Sequence, residues 1–229
     1  MVALSFACTP FGHVLFGALN NIASSKQAWS PGDWTSVNDH SVGGQSTSTF
    51  VISTTNKIVQ LQGYLDSSKL HHQQPNIGHA GQITTNSKKV WDLSEFEGIQ
   101  ILYSGGDNHN YTLSMKDVLP TVLANGHERS TIDWVHTFTA EKLEVQGVGL
   151  ESLQMQMPTS VFLAFNKFKP LYRNRLVENA QPLNTKHIRS FSIMIRSSDN
   201  DRTGEYSIKL HSISAAHAGT VYHTENFQC

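Results

Sequence analysis

Twelve histidines stand in this 229-residue chain, and imidazole rings can bind metal ions or move protons near neutral pH. The spacing of these histidines does not fit a metal site. His71 and His72 are adjacent in a polar stretch, and no His-x-His or His-Glu-x-x-His pattern falls on a predicted strand or helix. The sequence therefore predicts no metal ion.

The glycine pairs and the two cysteines give no sign of a cofactor or a covalent mechanism. Gly43-Gly44 and Gly105-Gly106 lack the strand, the glycine spacing and the helix of a nucleotide-binding loop. No Gly-x-Ser-x-Gly elbow occurs, and neither Cys8 nor Cys229 has the local setting of a nucleophile. We therefore expect a protein that uses no cofactor and forms no covalent intermediate.

Polar and aromatic side chains remain as the residues that could do chemistry. The candidate catalytic hydrogen-bond donors are His40, His79, Gln82, His136 and Arg173. The candidate walls of a substrate pocket are Trp34, Asn38, Tyr103, Tyr111 and Trp134. On a β-sandwich, such residues could line an open sheet face or the mouth between the sheets. Each also has a structural interpretation, with Trp34 and Trp134 as core aromatics and Asp39 as a cap of the Gly43-Gly44 turn.

The elements that must position these residues are strands, because the dominant local pattern has a period of two. Between Ile58 and Leu65, apolar Val59, Leu61 and Leu65 share one face with Gly63, and the other face carries Ile58, Gln60, Gln62 and Tyr64. Similar runs predict strands at Ile99 to Tyr103, Tyr111 to Met115, Thr131 to Phe138, Val161 to Phe165, Phe191 to Ile195 and Tyr206 to Ile213.

Clusters of glycine, asparagine, aspartate and serine separate these runs, as in Ser104 to Asn108 and Ser197 to Asp201. Many short strands with turns between them indicate a sandwich or barrel rather than a parallel α/β sheet. Two short helices are predicted, over Pro10 to Asn21 and over Ser114 to Val122. No repeat or proline-rich linker divides the chain, so we predict one all-β domain with a jelly-roll-like β-sandwich fold.

Charge and hydropathy argue against several partners. The 17 lysines and arginines nearly balance the 18 aspartates and glutamates, and a net charge of −1 gives no field that would attract nucleic acid. No apolar run approaches the ~20 residues that span a bilayer. The apolar start has no basic residue before Lys26 and is interrupted by Pro10 and His13, which argues against a signal peptide. We expect a cytoplasmic protein and leave a homodimer open.

Short motifs recur in an informative order over most of the chain. They are Leu15 to Gly17, Trp34 to Asp39, Gly43 to Ser48, Trp91 to Ile99, Asp107, Tyr111 to Leu113, Lys116-Asp117, Ser130 to Trp134, Phe168 to Arg173 with Arg175, Ser192 to Ser197, Gly204 to Ser207 and Ile213. Together they resemble the complex I intermediate-associated protein family. The resemblance implies a galactose-binding-like β-sandwich over residues 15–216, an extension of residues 1–14 and a tail of residues 217–229. The short extension also argues against a cleaved signal peptide.

The chain departs from that family pattern at shared loops. His40 to Val42 stands in place of an arginine-bearing stretch, and Gly78 to Ile83 in place of a Gly-Phe-Ala-Ser-Gln-Arg run. Asn174 replaces the glycine of a Tyr-Arg-Gly-Arg motif, and Ser198 to Asn200 replaces Phe-Phe-Gly. Charges and glycines have been exchanged for neutral or imidazole groups, which argues against the ancestral role. The apolar stretch Glu141 to Pro158 is interpreted as a variable surface hairpin, with a lid over a pocket as the alternative.

The leading functional hypothesis is an enzyme of fungal-type secondary metabolism. Sandwich proteins that are similar to this chain have been adopted as pericyclases, so we expect cofactor-free cyclisation of an apolar polyketide or terpenoid, of the hetero-Diels–Alder type. Holding the reacting groups in a near-attack pose supplies much of the rate in such chemistry. Donors that point at a carbonyl stabilise the charge that develops on it.

Two functions of other classes stay open. The first is the role that the family's name implies, an assembly chaperone of mitochondrial respiratory complex I. It predicts a mitochondrial location, although the start of the chain lacks the arginines of a transit peptide. The second is a carbohydrate-binding module, which rests on fold analogy and would need exposed aromatic platforms.

Overall fold

The computed structural model of the chain describes residues 12–17, 29–53, 57–66, 78–86, 88–124, 126, 128–142, 158–199 and 203–219. Its strands are β1 (His13–Gly17), β2 (Trp34–Asn38), β3 (Thr47–Ser53), β4 (Ile58–Leu65), β5 (His79–Thr84), β6 (Gly98–Ser104), β7 (Asn110–Lys116), β8 (Thr121–Val122), β9 (Glu128–Arg129), β10 (Asp133–Thr139), β11 (Thr159–Ala164), β12 (Lys169–Tyr172), β13 (Arg175–Leu176), β14 (Ser190–Arg196) and β15 (Gly204–Ala216). The helical elements in this part of the chain are short 3-10 turns of three or four residues.

The strands form two antiparallel sheets that pack face to face. The first sheet has the order β11-β6-β15-β4-β3, and β1 also pairs with β15. The second sheet has the order β13-β12-β10-β7-β14-β5-β2, and β8 pairs with β9 in a separate hairpin. The inner faces of both sheets supply one hydrophobic core. The predicted all-β sandwich is confirmed.

Both predicted helices are wrong. His13 to Gly17, inside the first of them, form β1, which pairs with β15 so that Val14 lies opposite Ser214. In the second, β7 continues to Lys116 and β8 begins at Thr121. Local propensity suggested helices there, but ladder pairing with distant strands decides the conformation.

One half of the core is an aromatic cluster. Its members are Phe16, Trp29, Trp34, Phe50, Trp91 and Phe191, whose neighbouring ring centroids lie 4.8 to 6.1 Å apart. Such edge-to-face and tilted contacts add to the free energy gained by burying the rings. Trp34 is therefore a core aromatic, as its structural interpretation predicted, and Trp134 is also buried in the core.

The β12–β13 hairpin turns through two residues with positive φ, Arg173 at 50° and Asn174 at 61°. A two-residue hairpin turn with both φ angles positive has the geometry of type I′, which favours glycine, asparagine and aspartate. This geometry explains why asparagine can stand at position 174 where a related motif carries glycine. The turn also places Arg173 at an exposed tip of the second sheet.

We expect the Asn174→Gly variant to be more stable than the Asn174→Ala variant by about 1 kcal/mol, because a Cβ in the left-handed region is strained. Both variants lose the hydrogen bond that Arg196 Nη1 donates to Asn174 Oδ1 at 3.3 Å, so their difference reports on the backbone. Urea unfolding of the two variants measures it. Equal stability, or a more stable alanine variant, would contradict the assigned turn.

His211 lies at a bulge in β15, where the register with β6 shifts between Leu210 and Ser212. Its ring is half-buried, and Nε2 lies 2.9 Å from Ser104 Oγ. Burial lowers the pKa of His211, and the neighbouring charge of Lys209 lowers it further. The folded protein therefore holds this ring neutral at pH values where the unfolded chain begins to protonate it.

We expect His211 to weaken the fold as pH falls below its ordinary pKa of 6.5. In that range the unfolded chain binds a proton that the folded chain excludes, so the stabilisation is complete above pH 6.5 and declines below it. Denaturant unfolding at several pH values should show a smaller acid-side loss for His211→Gln than for the wild type. Parallel pH profiles for the two proteins would refute this role.

Some predictions fall on residues outside the described part of the chain. They concern most of residues 1–14 and 217–229, both cysteines and residues 143–157 of the stretch interpreted as a hairpin or lid. Within the described ranges, no helix has the length and apolar character needed to cross a membrane.

Candidate functional site

Three of the predicted site residues, Asn38, His40 and His79, adjoin the buried Asp39, which is 2% exposed. Asp39 Oδ1 accepts from Ser46 N at 3.0 Å, and Oδ2 accepts from Ser46 Oγ at 2.6 Å and from His79 N at 3.2 Å. The Asn38 side chain accepts from His40 N at 3.2 Å and caps the short 3-10 turn that follows. The carboxylate therefore organises this loop, but it does not cap the Gly43-Gly44 turn as predicted, because Gly43 N and Gly44 N donate to the backbone oxygens of His40 and Asp39.

Gln82 points into the sandwich and is 4% exposed. Its Nε2 donates to Ser48 Oγ at 3.1 Å, and that hydroxyl donates to Gly81 O at 2.5 Å. The bond from Gln82 to Ser48 joins β5 of the second sheet to β3 of the first. Gln82 is thus a hydrogen-bonded core residue that links the sheets.

His136 and Arg173 lie on separate parts of the second sheet. The half-buried His136 ring packs edge-on against Phe168, with centroids 5.3 Å apart, and Nδ1 lies 3.0 Å from Thr137 O. Arg173 sits on the exposed hairpin turn, where Nε donates to Ser130 Oγ at 3.3 Å. No contact of the described residues joins these two donors to each other or to the Asp39 loop.

Four predicted pocket walls are parts of the core. Trp34, Trp134, Tyr103 and Tyr111 are each at most 7% exposed. Tyr103 and Tyr111 both pack against Phe138, with ring centroids 6.2 and 6.1 Å away. The ten predicted residues thus do not form one cluster in the described structure, and their roles toward a substrate stay predictions.

An open cleft of about 640 Å³ lies on the outer face of the first sheet. Its described lining residues come from β3, β4, β15 and the β6–β7 loop: Thr47, Thr49, Gln60, Gln62, Gly63, Tyr64, Asp107, Glu205, Tyr206 and Ser207. None of these was a predicted site residue. We call this feature the outer-face cleft.

Asp107 fixes one wall of the outer-face cleft. Its Oδ2 accepts from Tyr111 OH at 2.8 Å and from Ser207 N at 2.7 Å, and its Oδ1 accepts from His109 N at 3.0 Å. His109 Nδ1 also lies 3.1 Å from Oδ2. Ser207 lies beyond the part of β15 that pairs with β6, which ends at Lys209 opposite Ser104. The bond to Asp107 gives the backbone N–H of Ser207 an acceptor at this point. Asp107 therefore takes the place of a strand partner there.

Two tyrosines next to Asp107 keep their protons. Burial raises the pKa of Tyr111 well above its ordinary value, and the nearby Asp107 carboxylate raises it further. Burial also raises the pKa of Tyr206, whose hydroxyl donates to Thr47 O at 2.9 Å. Both hydroxyls thus act as fixed hydrogen-bond donors that support the floor and wall of the cleft.

Part of the lining of the outer-face cleft could be predicted from the sequence. Gln60, Gln62 and Tyr64 alternate with core residues in the predicted strand Ile58 to Leu65, so the exposed face of that strand was predictable. Asp107 and Glu205 lie far away along the chain, and only the pairing of β15 with β4 and β6 brings them to the same face.

A second surface feature is found on the β8–β9 and β12–β13 hairpins. Four large apolar residues of these hairpins are 40 to 70% exposed, and we call them the hairpin patch: Val122, Leu123, Tyr172 and Leu176. The bond from Arg173 to Ser130 joins the β12–β13 hairpin to the segment that follows β8–β9. Arginines stand on the same two hairpins, at positions 129, 173 and 175.

The described residues also bear on metal binding. No group of three or more histidine, cysteine, aspartate or glutamate side chains in the described ranges is placed to hold a metal ion. Of the acidic residues that line the outer-face cleft, Asp107 is already bonded to protein donors.

Comparison with known proteins gives a family match over most of the chain. The family model described as Complex I intermediate-associated protein 30 (CIA30) matches residues 23–210. An uncharacterized protein of Schizosaccharomyces pombe is 32% identical over 205 residues, which cover 88% of this chain and 83% of that protein.

Solved structures of similar shape include a family 11 carbohydrate-binding module from Clostridium thermocellum in complex with a beta-1,3-1,4-mixed-linked tetrasaccharide. It is 12% identical, with a TM-score of 0.49 and coverage of 81% of this chain and 89% of that chain. Another is a family 11 module from a cellulosomal cellulase of the same organism, which is 13% identical with a TM-score of 0.47 and coverage of 82% and 91%. Similarity at this level supports no conclusion about ligands.

Proposed function

Because the chain belongs to the Complex I intermediate-associated protein 30 family, we propose that it is an assembly factor that binds a polypeptide partner during the biogenesis of respiratory complex I. The family match over residues 23–210 carries the proposal, since it covers nearly the whole sandwich. The proposal requires a mitochondrial location, in place of the cytoplasmic one expected from the sequence.

The hairpin patch is the surface that we expect to contact the partner. Large exposed apolar side chains mark protein-binding surfaces, and the bond from Arg173 to Ser130 links the two hairpins that carry these residues to each other. Val122 and Leu176 are 70% and 60% exposed, so neither contributes to the core. The arginines at positions 129, 173 and 175 would favour a partner segment that combines apolar with acidic residues.

The test is deletion of the gene in the source organism, followed by native gel separation of mitochondrial membrane complexes. The proposal predicts that mature complex I falls and that an assembly intermediate accumulates. Wild-type protein should restore assembly, whereas a Val122→Asp/Leu176→Asp variant should not, because two buried carboxylates would oppose an apolar interface.

The matched control is a Val42→Asp/Val90→Asp variant, which adds the same charges at residues that are 73% and 46% exposed elsewhere on the surface. This variant should restore assembly as the wild type does. Unchanged complex I in the deletion strain, or a tagged copy absent from mitochondria, would overturn the assembly role. Restoration of assembly by the Val122→Asp/Leu176→Asp variant would contradict only the assignment of the hairpin patch as the partner-binding surface.

The cyclisation hypothesis gains no support from the observed placement of its residues. Tyr111 and Gln82 are closed inside the sandwich, while Arg173 lies at an exposed hairpin tip. A substrate that touched all three would have to displace core side chains, which protein interiors resist. The assembly role is therefore the function that we propose.

A further inference from the structure

The side chains of the outer-face cleft form an ordered array. Strand pairing places Thr47, Tyr64 and Glu205 in one row across β3, β4 and β15, and Thr49, Gln62 and Ser207 in the next row. Neighbouring strands lie about 4.8 Å apart and rows on one face about 6.7 Å apart. The array therefore presents hydroxyl, amide and carboxylate groups at a regular spacing.

Several of these groups are available to a ligand. No hydrogen bond or ion pair joins the side chains of Gln62 or Glu205 to another described residue, whereas Gln60 Nε2 already donates to Ser207 Oγ at 2.8 Å. An amide both donates and accepts, and a carboxylate accepts through two oxygens. The Gln62 amide and the Glu205 carboxylate can thus pair with hydroxyls of a ligand in both directions.

Tyr64 adds a flat surface to the array. Its side chain is 47% exposed on the same face as Gln62, and its backbone N is held by Thr47 Oγ1 at 3.2 Å. A tyrosine ring offers an apolar face beside a polar hydroxyl. It therefore suits a ring-shaped ligand that has a C–H face and a polar rim.

The charge of the outer-face cleft excludes other ligand classes. Two carboxylates, Asp107 and Glu205, line it, and its described lining contains no lysine, arginine or histidine. Phosphates, nucleic acids and acidic polymers would be repelled. A bound peptide is usually held by a strand edge with pockets for apolar side chains, whereas this lining is polar along both rows.

We propose that the outer-face cleft binds a neutral carbohydrate, with Gln62 and Glu205 hydrogen-bonded to sugar hydroxyls and a sugar ring packed on Tyr64. The site is independent of the proposed assembly role, because it lies on the first sheet and shares no residue with the hairpin patch on β8–β9 and β12–β13. Asp107 accepts from the backbone N of Ser207, and the Tyr206 hydroxyl donates to the backbone O of Thr47. These bonds keep the array rigid before the ligand binds.

The experiment is native affinity electrophoresis of the purified full chain in gels that contain a soluble β-glucan, an α-glucan, a galactan or a mannan. Migration should be retarded in at least one of these gels. Gln62→Ala and Glu205→Gln should each weaken binding to that polymer about tenfold, the effect of losing one ligand hydrogen bond. Tyr64→Ala should weaken it to a similar degree.

Thr35→Ala is the matched control, because Thr35 is an exposed strand residue of similar polarity on β2 of the second sheet. It should bind as the wild type does, and unfolding curves should show that all four variants are folded. Equal migration in all four polymer gels and in a polymer-free gel would overturn the proposal. Retardation that Gln62→Ala, Glu205→Gln and Tyr64→Ala all leave unchanged would overturn it too.

Discussion

Replacing Asp107 with alanine is expected to lower the free energy of unfolding by about 2–4 kcal/mol, because several donors lose their acceptor at once. Tyr111 is fully buried, so its hydroxyl has no water to replace the carboxylate. Ser207 N would be left without a partner where β15 extends past β6. Urea unfolding of the wild type and the Asp107→Ala variant measures the loss.

A double-mutant cycle with Tyr111→Phe separates the contributions. The phenylalanine ring keeps the packing against Phe138 but removes the hydroxyl, so this single variant should lose about 1 kcal/mol. The double variant should lose less than the sum of the two single variants, since the two residues share one bond. Additive losses, or an Asp107→Ala variant as stable as the wild type, would contradict the network.

The Phe191→Ala variant should lose about 3–5 kcal/mol of stability, the largest effect of a single core residue that we expect. Phe191 is fully buried, and its ring centroid lies 5.1 Å from that of Trp91 and 5.7 Å from that of Phe16. Alanine would leave a cavity beside these two aromatic rings. Thermal unfolding should shift downward by roughly 6–20 °C.

Phe191→Leu is the control for this prediction. Leucine fills part of the space but gives up the edge-to-face contacts, so the loss should be clearly smaller than for alanine. Both variants keep the hydrogen bond that the backbone N of residue 191 donates to Thr84 Oγ1 at 3.1 Å. Equal losses for both variants would show that the aromatic cluster does not depend on the volume of this side chain.

Most of the long strands were predictable because their alternation follows from local geometry. The predicted run Ile58 to Leu65 coincides with β4, and the run Phe191 to Ile195 lies inside β14. β1 was missed because its five residues include Val14, Leu15 and Phe16 in succession, which shows no alternation. Its strand conformation depends on pairing with β15 almost two hundred residues away along the chain.

The candidate site was less accessible to sequence reasoning than the fold. Histidines and aromatic residues were predicted as site residues because their side chains can take part in many kinds of chemistry. Tyr111 and Trp134, however, are buried in the hydrophobic core. Most of the polar residues that line the outer-face cleft are threonine, glutamine, serine and glutamate, which are common on any exposed strand. Their significance comes from the register that aligns Gln62 with Thr49 on one side and Ser207 on the other. The register between strands that are distant in sequence cannot be predicted from local sequence patterns.

The position of β15 in the first sheet bears on how the protein is made. This strand follows every other described strand in the sequence, yet it lies between β6 and β4 and also pairs with β1. During synthesis on the ribosome, the strands that flank it must wait with open edges until residues 204–216 emerge. Unpaired edges of this kind attract other chains. Nascent copies are therefore expected to need holding by general chaperones, and premature termination before Gly204 would release a chain that cannot close its first sheet.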